Sequence, residues 1–587
     1  MKITVILKTD HYLARLCIFL IAAALVAGIV GCGPIQYDLT VSSTEGGEVT
    51  APGEGTFAYD EGSLVNLVAE ADEGYQFVNW TGNVSGIAGV YAATTTITMN
   101  GHHSITANFA IAIEIWDWYD LGAVRDNLGG SYVLINDLDS ATAGYEELGS
   151  PTANGGKGWE PIGFFDPQIG SAGFSGAFDG QGYEIRDLFI NRPEEDNVGL
   201  FGSVDAGGII KNVGMVNANV TGFQSVGGLV GLSGRDSYDS TVSNCFATGN
   251  ISGRASVGGL VGLNTGTVAD CYSSSSVIGR VFVGGLVGGI SISYGTVIDS
   301  YATGSVTGLS VVGGLVGRNC GTMSNCYATG NVNGDDYIGG LVGQSWGQGD
   351  EASVSNSHST GNVNGDKHIG GLVGQSTGTV SNSHSTGGVT GDTHVGGLVG
   401  QSTGTVGNSY STGTVTGNWM VGGLVAENSG TVSNSYSTSD VVGETWDVAG
   451  LVGFNVGNVR NSYSTGSVTG SKYVGGVVGN NWGNVSYSYS TGTVTGNEEV
   501  GGLVGRNLVG SNIEGTVSNS FWNTETSGQG SSAGGTGKTT AEMKDIVTFS
   551  GAGWNIIAVG NPDTRNPSYI WNVVEGVTYP FLSWQPV

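Results

Sequence analysis

The feature that most restricts the fold is a short motif, VGGLVG or a close variant, that recurs along more than half of the chain. Its twelve copies are spaced 26 to 31 residues apart, and six of the eleven spacings are 26 residues. A period this short and regular is typical of a solenoid, in which each repeat packs only against its neighbours. The copies start at Val198 (as VGLFG), Val226, Val257, Val283, Val312, Ile338, Ile369, Val395, Val421, Val448, Val474 and Val500.

Each repeat contains three short runs with the composition of strands. The repeat that opens at Ile369 reads IGGLVGQSTGTVSNSHSTGGVTGDTH, and its runs IGGLVG, GTVSNSHSTG and VTG are separated by turn residues. Short β-branched runs of this kind predict strands rather than helices. A β-propeller is less suitable because its blades usually need about 40 or more residues. The sequence therefore predicts an all-β chain in which residues 198–519 form a parallel β-helix of about twelve coils.

Three columns of similar residues appear when the repeats are aligned on GTV. If coils stack in register, each side chain lies roughly 4.8 Å from its counterpart in the next coil. Strand alternation would place all three columns on one face, whereas a bend at the second column would turn the third outward; the sequence allows both. The apolar column is Val242, Val268, Val297, Met323, Val354, Val380, Val406, Val432, Val459, Val485 and Val517. The amide column is Asn244, Asp270, Asp299, Asn325, Asn356, Asn382, Asn408, Asn434, Asn461, Tyr487 and Asn519. The ring column is Phe246, Tyr272, Tyr301, Tyr327, His358, His384, Tyr410, Tyr436, Tyr463, Tyr489 and Phe521.

The repeats are flanked by segments without the clean period. A stack of coils exposes strand edges at both ends, and these edges need covers. We therefore expect an N-terminal cap with the opening coils in 111–197, and a C-terminal cap in 520–587. Each contains one short helical pattern, IWDWYDLGAVRDNLGG and TTAEMKDIV respectively.

Residues 37–110 alternate short β-rich runs with turns, which predicts a small β module. The segment resembles the divergent internalin-B-type repeat, and the resemblance implies an extracellular spacer or adhesive element without catalysis. The matching residues are Gly46, Gly47, Val49, Tyr59, Gly62, Gly74, Tyr75, Phe77, Trp80 and Gly82, with ITMNGHHSITANF closing the unit.

The N-terminus has the pattern of an export signal. Basic residues precede an apolar run from Leu16 to Val30, which has the length of a signal-peptide core and is short for a membrane span. The closing IVGC resembles a bacterial lipobox, which implies cleavage before Cys32 and lipidation of its thiol. We therefore expect a signal peptide in 1–31, a lipid-anchored linker in 32–36, and a protein at the cell surface or outer membrane. An ordinary secretory signal or a signal anchor are the alternatives.

The charge of the chain restricts its partners. With 49 acidic and 19 basic residues, a net charge of −30 argues against nucleic acid and anionic lipid as ligands. It leaves calcium open as a ligand.

A column of acidic residues lies in one turn of the coils. Asp335, Asp366 and Asp392 each lie three residues before a repeat motif, and Asp336, Glu444 and Glu499 lie in or near the same turn of their coils. Calcium could bridge this column, although solvated turn carboxylates are the simpler interpretation.

The repeats resemble the GLUG motif, whose core is VGGLVG. The flanks WEPIG, FDGQGYEI and FWNTETSGQ resemble those of bacterial and archaeal surface proteins that carry it, so that the resemblance covers about residues 115–587. It implies a solenoid on an exported, often adhesin-like protein. Some relatives are IgA-cleaving zinc peptidases, but their HExxH motif is absent, because no histidine of this chain is followed by Glu.

GGTGKTT, near the C-terminus, suggests a phosphate-binding loop. Such a loop needs Gly, four residues, then Gly-Lys-Ser/Thr, but Ser532 occupies the position of the first glycine. Thr539 followed by Glu542 instead predicts a capping box at the start of a short helix. We therefore expect no nucleotide to bind.

Two pairs of histidines occupy equivalent positions in neighbouring coils, His358 with His384 and His368 with His394. Stacked imidazoles could hold a transition metal. No carboxylate or thiol shares their columns in those coils, so we favour rings that replace tyrosine in the stack and expect no metal site.

Asp270 and Asp299 are neighbours in the amide column. Paired carboxylates on a β-helix face could cleave a polysaccharide. No basic cluster is evident beside them, so we interpret them as acid variants of an amide ladder and expect no catalytic residues.

Cys245 and Cys271 occupy equivalent positions one coil apart, and a disulfide could join them, since the stacking distance fits such a bond. They could equally be small fillers in a column that is otherwise Ser, apart from Cys326.

Together these patterns predict a surface lipoprotein that presents Ser, Thr, Asn and aromatic columns on a β-helix. We expect adhesion or ligand binding, with an unknown extracellular glycan or protein as the ligand, because Tyr rings and hydroxyls suit sugar faces if they are exposed. The alternatives are a polysaccharide-active enzyme, with a groove where Asp270, Asp299 and a base converge, and a purely structural envelope component that self-associates.

Overall fold

The computed structural model describes residues 35–166, 170–234, 240–291, 295–347, 352–508, 510 and 514–585. The signal segment and the lipidation site predicted at Cys32 lie outside these residues. The chain forms two compact units that divide between Ile113 and Glu114. Within the described ranges, no helix is long and apolar enough to span a bilayer.

The first unit is a small β module with two sheets, as predicted. One sheet has the strand order Gly55–Asp60, Gln36–Ser43, His103–Ile111 and Tyr75–Gly82, and the other is antiparallel with the order Gly47–Ala51, Leu64–Ala71 and Thr94–Thr98. Alternate residues of the strands, such as Leu39, Leu67 and Ile97, are buried between the sheets with Trp80.

The second unit is a parallel β-helix, which confirms the predicted fold. Each coil contributes strands to four sheets, numbered in the order in which the coil visits them. In the coil that begins at Thr393, the strands are Thr393–Gly396 in sheet 1, Val399–Ser402 in sheet 2, Thr405–Gly407 in sheet 3, and Tyr410–Ser411 with Val415–Gly417 in sheet 4. Of the three runs predicted in each repeat, two are divided between sheets: VGGLVG between sheets 1 and 2, and GTVSNSHSTG between sheets 3 and 4.

Sheets 1 and 2 are built from the two halves of the repeated motif. Sheet 1 contains Gln224–Gly227, Ala255–Gly258, Val281–Gly284, Ser310–Gly313, Asp336–Gly339, Lys367–Gly370, Thr393–Gly396, Trp419–Gly422, Trp446–Ala449, Lys472–Gly475 and Glu498–Gly501. Sheet 2 contains Phe201–Val204, Val230–Ser233, Val261–Asn264, Val287–Ile290, Val316–Asn319, Val342–Ser345, Val373–Ser376, Val399–Ser402, Val425–Asn428, Val452–Asn455, Val478–Asn481 and Val504–Asn507.

Sheets 3 and 4 begin before the first clear repeat. Sheet 3 contains Ile113–Ile115, Ser131–Leu134, Ala177–Asp179, Ile209–Lys211, Thr241–Ser243, Thr267–Ala269, Thr296–Ile298, Thr322–Ser324, Ser353–Ser355, Thr379–Ser381, Thr405–Gly407, Thr431–Ser433, Asn458–Arg460, Asn484–Ser486 and Thr516–Ser518. Sheet 4 contains Glu184–Arg186, Phe189–Asn191, Gly214–Thr221, Phe246–Ser252, Tyr272–Ser273, Ser276–Ile278, Tyr301–Ala302, Val306–Thr307, Tyr327–Ala328, Val332–Asn333, His358–Ser359, Val363–Asn364, His384–Ser385, Val389–Thr390, Tyr410–Ser411, Val415–Gly417, Tyr436–Ser437, Val441–Gly443, Tyr463–Ser464, Val468–Thr469, Tyr489–Ser490, Val494–Thr495, Phe521–Asn523 and Thr536–Lys538.

The coils pair in the register that the sequence columns indicate. Val406 pairs with Val380 in the preceding coil and with Val432 in the next, and all three are fully buried. Burying an aliphatic side chain stabilises the fold by about 1.5 to 3 kcal/mol, and the column repeats this contact in every coil.

The paired glycines of the motif are required by close packing. A Cβ on Gly397 would collide with the carbonyl oxygen of Gly423 in the next coil, and a Cβ on Gly396 with the carbonyl oxygen of Val399. Neither glycine has a positive φ. The motif therefore contains Gly-Gly because the backbone turns tightly from sheet 1 to sheet 2 while touching the neighbouring coil.

Two bends in each coil use left-handed backbone. The first is the amide column, where φ lies between 46° and 56°. Asn and Asp tolerate this conformation better than most residues, which explains their recurrence. The second bend precedes the Gly-Gly pair and has varied residues with φ of 50° to 60°: Ser225, Ser256, Phe282, Val311, Tyr337, His368, His394, Met420, Asp447, Tyr473 and Glu499.

The residue after each amide-column bend is a buried serine or cysteine. The hydroxyl of Ser409 accepts a hydrogen bond from the Ser383 N–H (3.2 Å) and donates one to the Gly407 carbonyl (2.7 Å). Such a group satisfies two backbone atoms that would otherwise be buried without partners at the bend. The expectation that serine columns face outward is therefore wrong for this column and for Ser359, Ser385, Ser411, Ser437, Ser464 and Ser490, which are also buried.

Both ends of the second unit contain short helices and large buried rings. At the N-terminal end, the helix Trp118–Ala123 is capped by Asp117 and followed by a 3₁₀ turn at Val124–Asp126, a π turn at Tyr145–Gly149, the turn Ala153–Gly156, and the hairpin Phe164–Asp166 with Gly170–Ala172. At the C-terminal end lie Thr524–Ser527, the 3₁₀ turn Glu542–Lys544, the helix Ile546–Ser550, and a sheet of Ile556–Ala558, Trp571–Val573 and Phe581–Leu582. These C-terminal elements form the C-terminal cap.

Candidate functional site

The ring column faces outward, which settles the alternative that the sequence left open. The left-handed bend at each amide-column residue reverses the alternation, so that the serine turns inward and the ring turns out. The rings from Phe246 to Tyr410 are half-buried rather than part of the core. Seven coils therefore present a continuous row of rings.

The rings stack in parallel on one another. Neighbouring centroids are 4.7 to 5.2 Å apart from Phe246 to Tyr410, with planes inclined by 9° or less. The face of each ring is therefore covered by the next, and solvent reaches the ring edges. The column therefore presents hydroxyls, imidazole nitrogens and C–H edges to solvent, and not the faces of its rings.

Exposed hydroxyl and amide columns lie beside the rings on the same sheet. Two residues after each of the six rings from Tyr272 to Tyr410 is an exposed side chain: Ser274, Thr303, Thr329, Thr360, Thr386 and Thr412. The flanks of the next strand add the exposed pairs Ser305 with Thr307, Asn331 with Asn333, Asn362 with Asn364, and Thr414 with Thr416. We call the outward side of sheet 4 from Phe246 to Thr416, with the adjoining amide column, the polar face.

Side chains of the polar face are ordered by bonds between coils. Asn408 donates to the side-chain oxygen of Asn382 (3.2 Å), and Asn325 donates to the carboxylate of Asp299 (3.0 Å). In the outer columns, Asn364 donates to the Asn333 side chain (3.2 Å). Each amide thus has a defined orientation and retains further groups for a ligand.

The C-terminal cap covers the rest of the ring column. Tyr436, Tyr463, Tyr489 and Phe521 are buried against Trp554, Trp571 and Phe549 of the cap. At the edge of the cap, Trp584 is tilted over Tyr410 and Tyr436, with centroid distances of 6.5 and 5.9 Å. A pocket of about 420 Å³ lies at this edge, between the amide column and the cap.

Two histidines lie within the ring column and remain neutral to acidic pH. Burial lowers the pKa of His358, and burial together with the neighbouring His358 lowers the pKa of His384 to about 4. Their centroids are 4.9 Å apart with planes inclined by 2°. The pair therefore continues the tyrosine stack as uncharged rings, as the sequence favoured.

This depressed pKa predicts a pH-dependent stability. Between about pH 6.5, the ordinary value, and pH 4, the unfolded chain binds a proton at His384 that the folded chain does not, so stability falls as the pH is lowered. We expect the His384→Tyr variant to lose less stability than the unchanged chain between pH 7 and pH 5, measured by urea unfolding. An NMR titration that gives His384 a pKa above 6 would contradict this account.

Asp270 and Asp299 occupy adjacent left-handed bends of the amide column. Partial burial, then repulsion from Asp299, raises the pKa of Asp270. Asp299 accepts a hydrogen bond from Asn325, so it acts as a member of the amide ladder.

The other histidine pair lies at the second bend, where His368 stacks on Tyr337 (4.6 Å) and on His394 (4.7 Å), as expected of rings that replace tyrosine. His368 lies 2.9 Å from a carboxylate oxygen of Asp336, and His394 lies 3.1 Å from Glu427. Both carboxylates reach the rings from other columns, which alignment by column could not reveal. Even so, the described part of the chain contains no group of three or more His, Cys, Asp or Glu residues suited to a metal ion.

The turn aspartates lie at equivalent positions of three successive coils, linked by main-chain hydrogen bonds. Asp335, Asp366 and Asp392 are exposed, and the Asp392 carboxylate accepts a hydrogen bond from the Asn418 side chain (3.0 Å). Solvated turn carboxylates stay the simpler interpretation of this column, with calcium as the alternative.

The disulfide considered between Cys245 and Cys271 is not formed; both are buried free thiols, as are Cys320 and Cys326. Cys245, Cys271 and Cys326 take the place of a serine in the inner column. The Cys245 N–H donates to the Cys271 sulfur (3.4 Å), and the Cys271 thiol donates to the Ala269 carbonyl (3.0 Å). Both thiols are thus directed along the same column and engaged with the backbone.

We expect these thiols to be unreactive in the folded chain. Burial raises the pKa of Cys271 well above its ordinary value and that of Cys326 to about 12, which suppresses the reactive thiolate. A chain that begins at residue 35 contains four cysteines. At pH 8 and without a reductant, none of them should react with iodoacetamide in the folded chain, and all four should react after denaturation. Two unlabelled cysteines after denaturation would indicate a disulfide instead.

The GGTGKTT segment is a strand and not a phosphate loop. Thr536–Lys538 pairs in parallel with Phe521–Asn523, as the last strand of sheet 4. The predicted capping box is present: the Glu542 carboxylate accepts from the Thr539 N–H (2.9 Å), and the Thr539 hydroxyl accepts from the Glu542 N–H (3.3 Å). The predicted single helix is divided, however, because Asp545 is extended and caps a separate helix at Ile546.

Comparison with known families matches both units. The divergent InlB B-repeat domain matches residues 37–113. The GLUG motif matches eight segments, 224–252, 253–278, 308–333, 334–364, 391–416, 417–442, 444–469 and 470–495.

Similar proteins match only part of the chain. Halomucin of Haloquadratum walsbyi is 37% identical over 139 residues, which are 23% of this chain and 1% of halomucin. A protein of Evansella cellulosilytica named as a Gly-rich membrane protein is 34% identical over 103 residues, which are 17% of this chain and 10% of that protein. The chain thus spans a small part of the length of either relative.

A solved structure named as an immunoglobulin A1 protease from Bacteroides ovatus is 21% identical, with a TM-score of 0.35 over 47% of this chain and 84% of that chain. A likeness this weak carries no argument about function. The family matches agree with the coils and the module described above: the chain carries a divergent InlB B-repeat domain followed by a β-helix with GLUG repeats.

Proposed function

We propose that this repeat-rich chain is an exported surface protein that binds an extended, uncharged glycan along its polar face. The observation that carries the proposal is the repetition of the face: a ring edge, a hydroxyl and further hydroxyl or amide groups recur in successive coils at roughly 4.8 Å. A polymer with its own repeat can contact equivalent groups in many coils, so that many weak contacts sum to a measurable affinity.

The charge and the exposed groups support this ligand class. Hydroxyls and amides donate and accept hydrogen bonds, as sugar hydroxyls do. A net charge of −30 repels anionic polymers. The ring edges add apolar C–H surface between the polar columns.

The surface location is supported by the export pattern and by the relatives. The proposed anchor is a lipid on Cys32, which places the membrane among the partners. The relatives named halomucin and Gly-rich membrane protein are consistent with an exposed location.

We propose binding without catalysis. Asp270 and Asp299 sit in an ordered amide ladder, and burial, followed by repulsion from Asp299, raises the pKa of Asp270. If the unchanged chain released products from a polysaccharide and the Asp270→Asn and Asp299→Asn variants did not, the proposal that the chain is not catalytic would be overturned.

Affinity electrophoresis in gels of neutral polysaccharides, preceded by a glycan array, tests the binding. The variant Thr386→Glu with Thr412→Glu adds charge to exposed positions of the polar face; its matched control is Thr403→Glu, which is exposed between sheets 2 and 3. We expect the double variant to bind at least about tenfold more weakly and the control to bind normally. Absence of binding by the unchanged chain, or equal loss in the control, would overturn the proposal.

A further inference from the structure

The pocket at the edge of the C-terminal cap lies where the polar face ends. Asn408 and Asn434 of the amide column form one side, and Ser568, Tyr569 and Trp584 of the cap lie on the other. Its volume of about 420 Å³ is within the range of small-ligand sites. The amide column therefore leads into a recess.

The chemistry of the lining suits one class of ligand. None of the lining residues carries a charge at neutral pH; they offer amides, hydroxyls, an indole and a phenol. An ionic ligand would find no counter-charge there, and a wholly apolar ligand would bury the amides without partners. A sugar residue matches both kinds of surface, since it combines hydroxyls with apolar C–H groups.

The walls of the pocket are held in place before any ligand binds. The Trp584 indole donates to the Asn434 carbonyl (3.0 Å), and its ring is inclined by 33° to Tyr410. Asn408 is fixed by its bond to Asn382 (3.2 Å). The side-chain oxygen of Asn434 is buried and has no hydrogen-bond partner among the described residues. Such preorganised walls lower the entropic cost of binding.

We infer that this pocket binds the terminal one or two sugar units of a neutral saccharide, while the polar face contacts the chain that follows. The ligand class rests on the proposed function. The location of the site does not rest on it, because the location follows from the recess that the cap residues form with Asn408 and Asn434.

Saturation-transfer NMR tests the inference with the chain from residue 35 and neutral mono- to tetrasaccharides of glucose, galactose and N-acetylglucosamine. Asn408→Gly removes a lining amide and keeps the left-handed backbone, since φ is 48°. Ser568→Trp, at an exposed cap position, fills the recess. The matched control is Asn212→Gly, at φ 56° in the equivalent bend of a coil that precedes the polar face; its amide also donates to a side chain of the preceding coil, Asp179 (2.9 Å).

We expect at least one oligosaccharide to bind, with about tenfold weaker binding for Asn408→Gly, loss for Ser568→Trp, and no change for Asn212→Gly. Polysaccharide binding without any oligosaccharide binding would overturn the pocket and leave the proposed function standing. Oligosaccharide binding that depends on the pocket, without effects of the polar-face variants, would support the pocket and overturn the extended site. Equal effects of Asn212→Gly and Asn408→Gly would also overturn the pocket.

Discussion

Replacing Gly397 by Ala is expected to lower the free energy of unfolding by about 2 to 4 kcal/mol. The added methyl group would meet the main-chain oxygen of Gly423 in the next coil, which no side-chain rotation can move. Two paired coils would have to separate locally, with loss of hydrogen bonds between them. Urea unfolding followed by circular dichroism measures the change.

A glycine of the same repeat provides the control. The nearest atom to a Cβ on Gly407 is the Ser433 hydroxyl at 3.7 Å, and serine occupies the equivalent position at Ser381. We expect Gly407→Ala to change stability by less than about 0.5 kcal/mol. Equal stability of the two variants would show that contact between coils at the Gly-Gly pair is not the reason for the motif.

Replacing Trp554 by Ala is expected to destabilise the C-terminal cap by about 3 to 5 kcal/mol. Trp554 is 5% exposed, packs against Phe549 and Trp571 at centroid distances of 4.8 and 4.9 Å, and donates to the Asn519 carbonyl (2.8 Å). Its loss leaves a cavity beside the last rings of the column and frees an edge of sheet 4. Hydrogen exchange should therefore accelerate first around Tyr489 and Phe521, and self-association should rise.

Trp446→Ala is the matched control, since this indole is 54% exposed in sheet 1. We expect little change in its unfolding or in its sedimentation. If both tryptophan variants behaved alike, or if exchange near Tyr489 stayed slow in Trp554→Ala, the cap would not be protecting the end of the β-helix.

The fold was predictable because repetition multiplies a weak pattern. One VGGLVG segment is ambiguous, but twelve at a near-constant spacing indicate a solenoid, and the buried Val406 column follows from the same alignment. The outward direction of the rings was harder to predict from the sequence. The sequence feature that indicates this bend is the recurring Asn, a residue that tolerates left-handed backbone. The direction of the side chains that follow, however, is decided only by the backbone angles.

Other features of the site had no clear signal in single columns. The second bend is occupied by residues as different as Val311, Tyr337 and Asp447, so no residue type marks it. The contact of His368 with Asp336 joins two columns and depends on how far coils are offset. The inner serines were misjudged because a hydroxyl usually indicates exposure, whereas here it replaces backbone partners lost at the bend.

The register of the coils has a consequence for the gene. Val380, Val406 and Val432 pair in sequence, and the segment 391–416 is one complete coil. Unequal recombination between the DNA of two such repeats would delete or duplicate one coil, leave every column continuous, and change the length of the β-helix by roughly 4.8 Å. The length of the β-helix can therefore vary between lineages in fixed steps, without any new packing having to evolve.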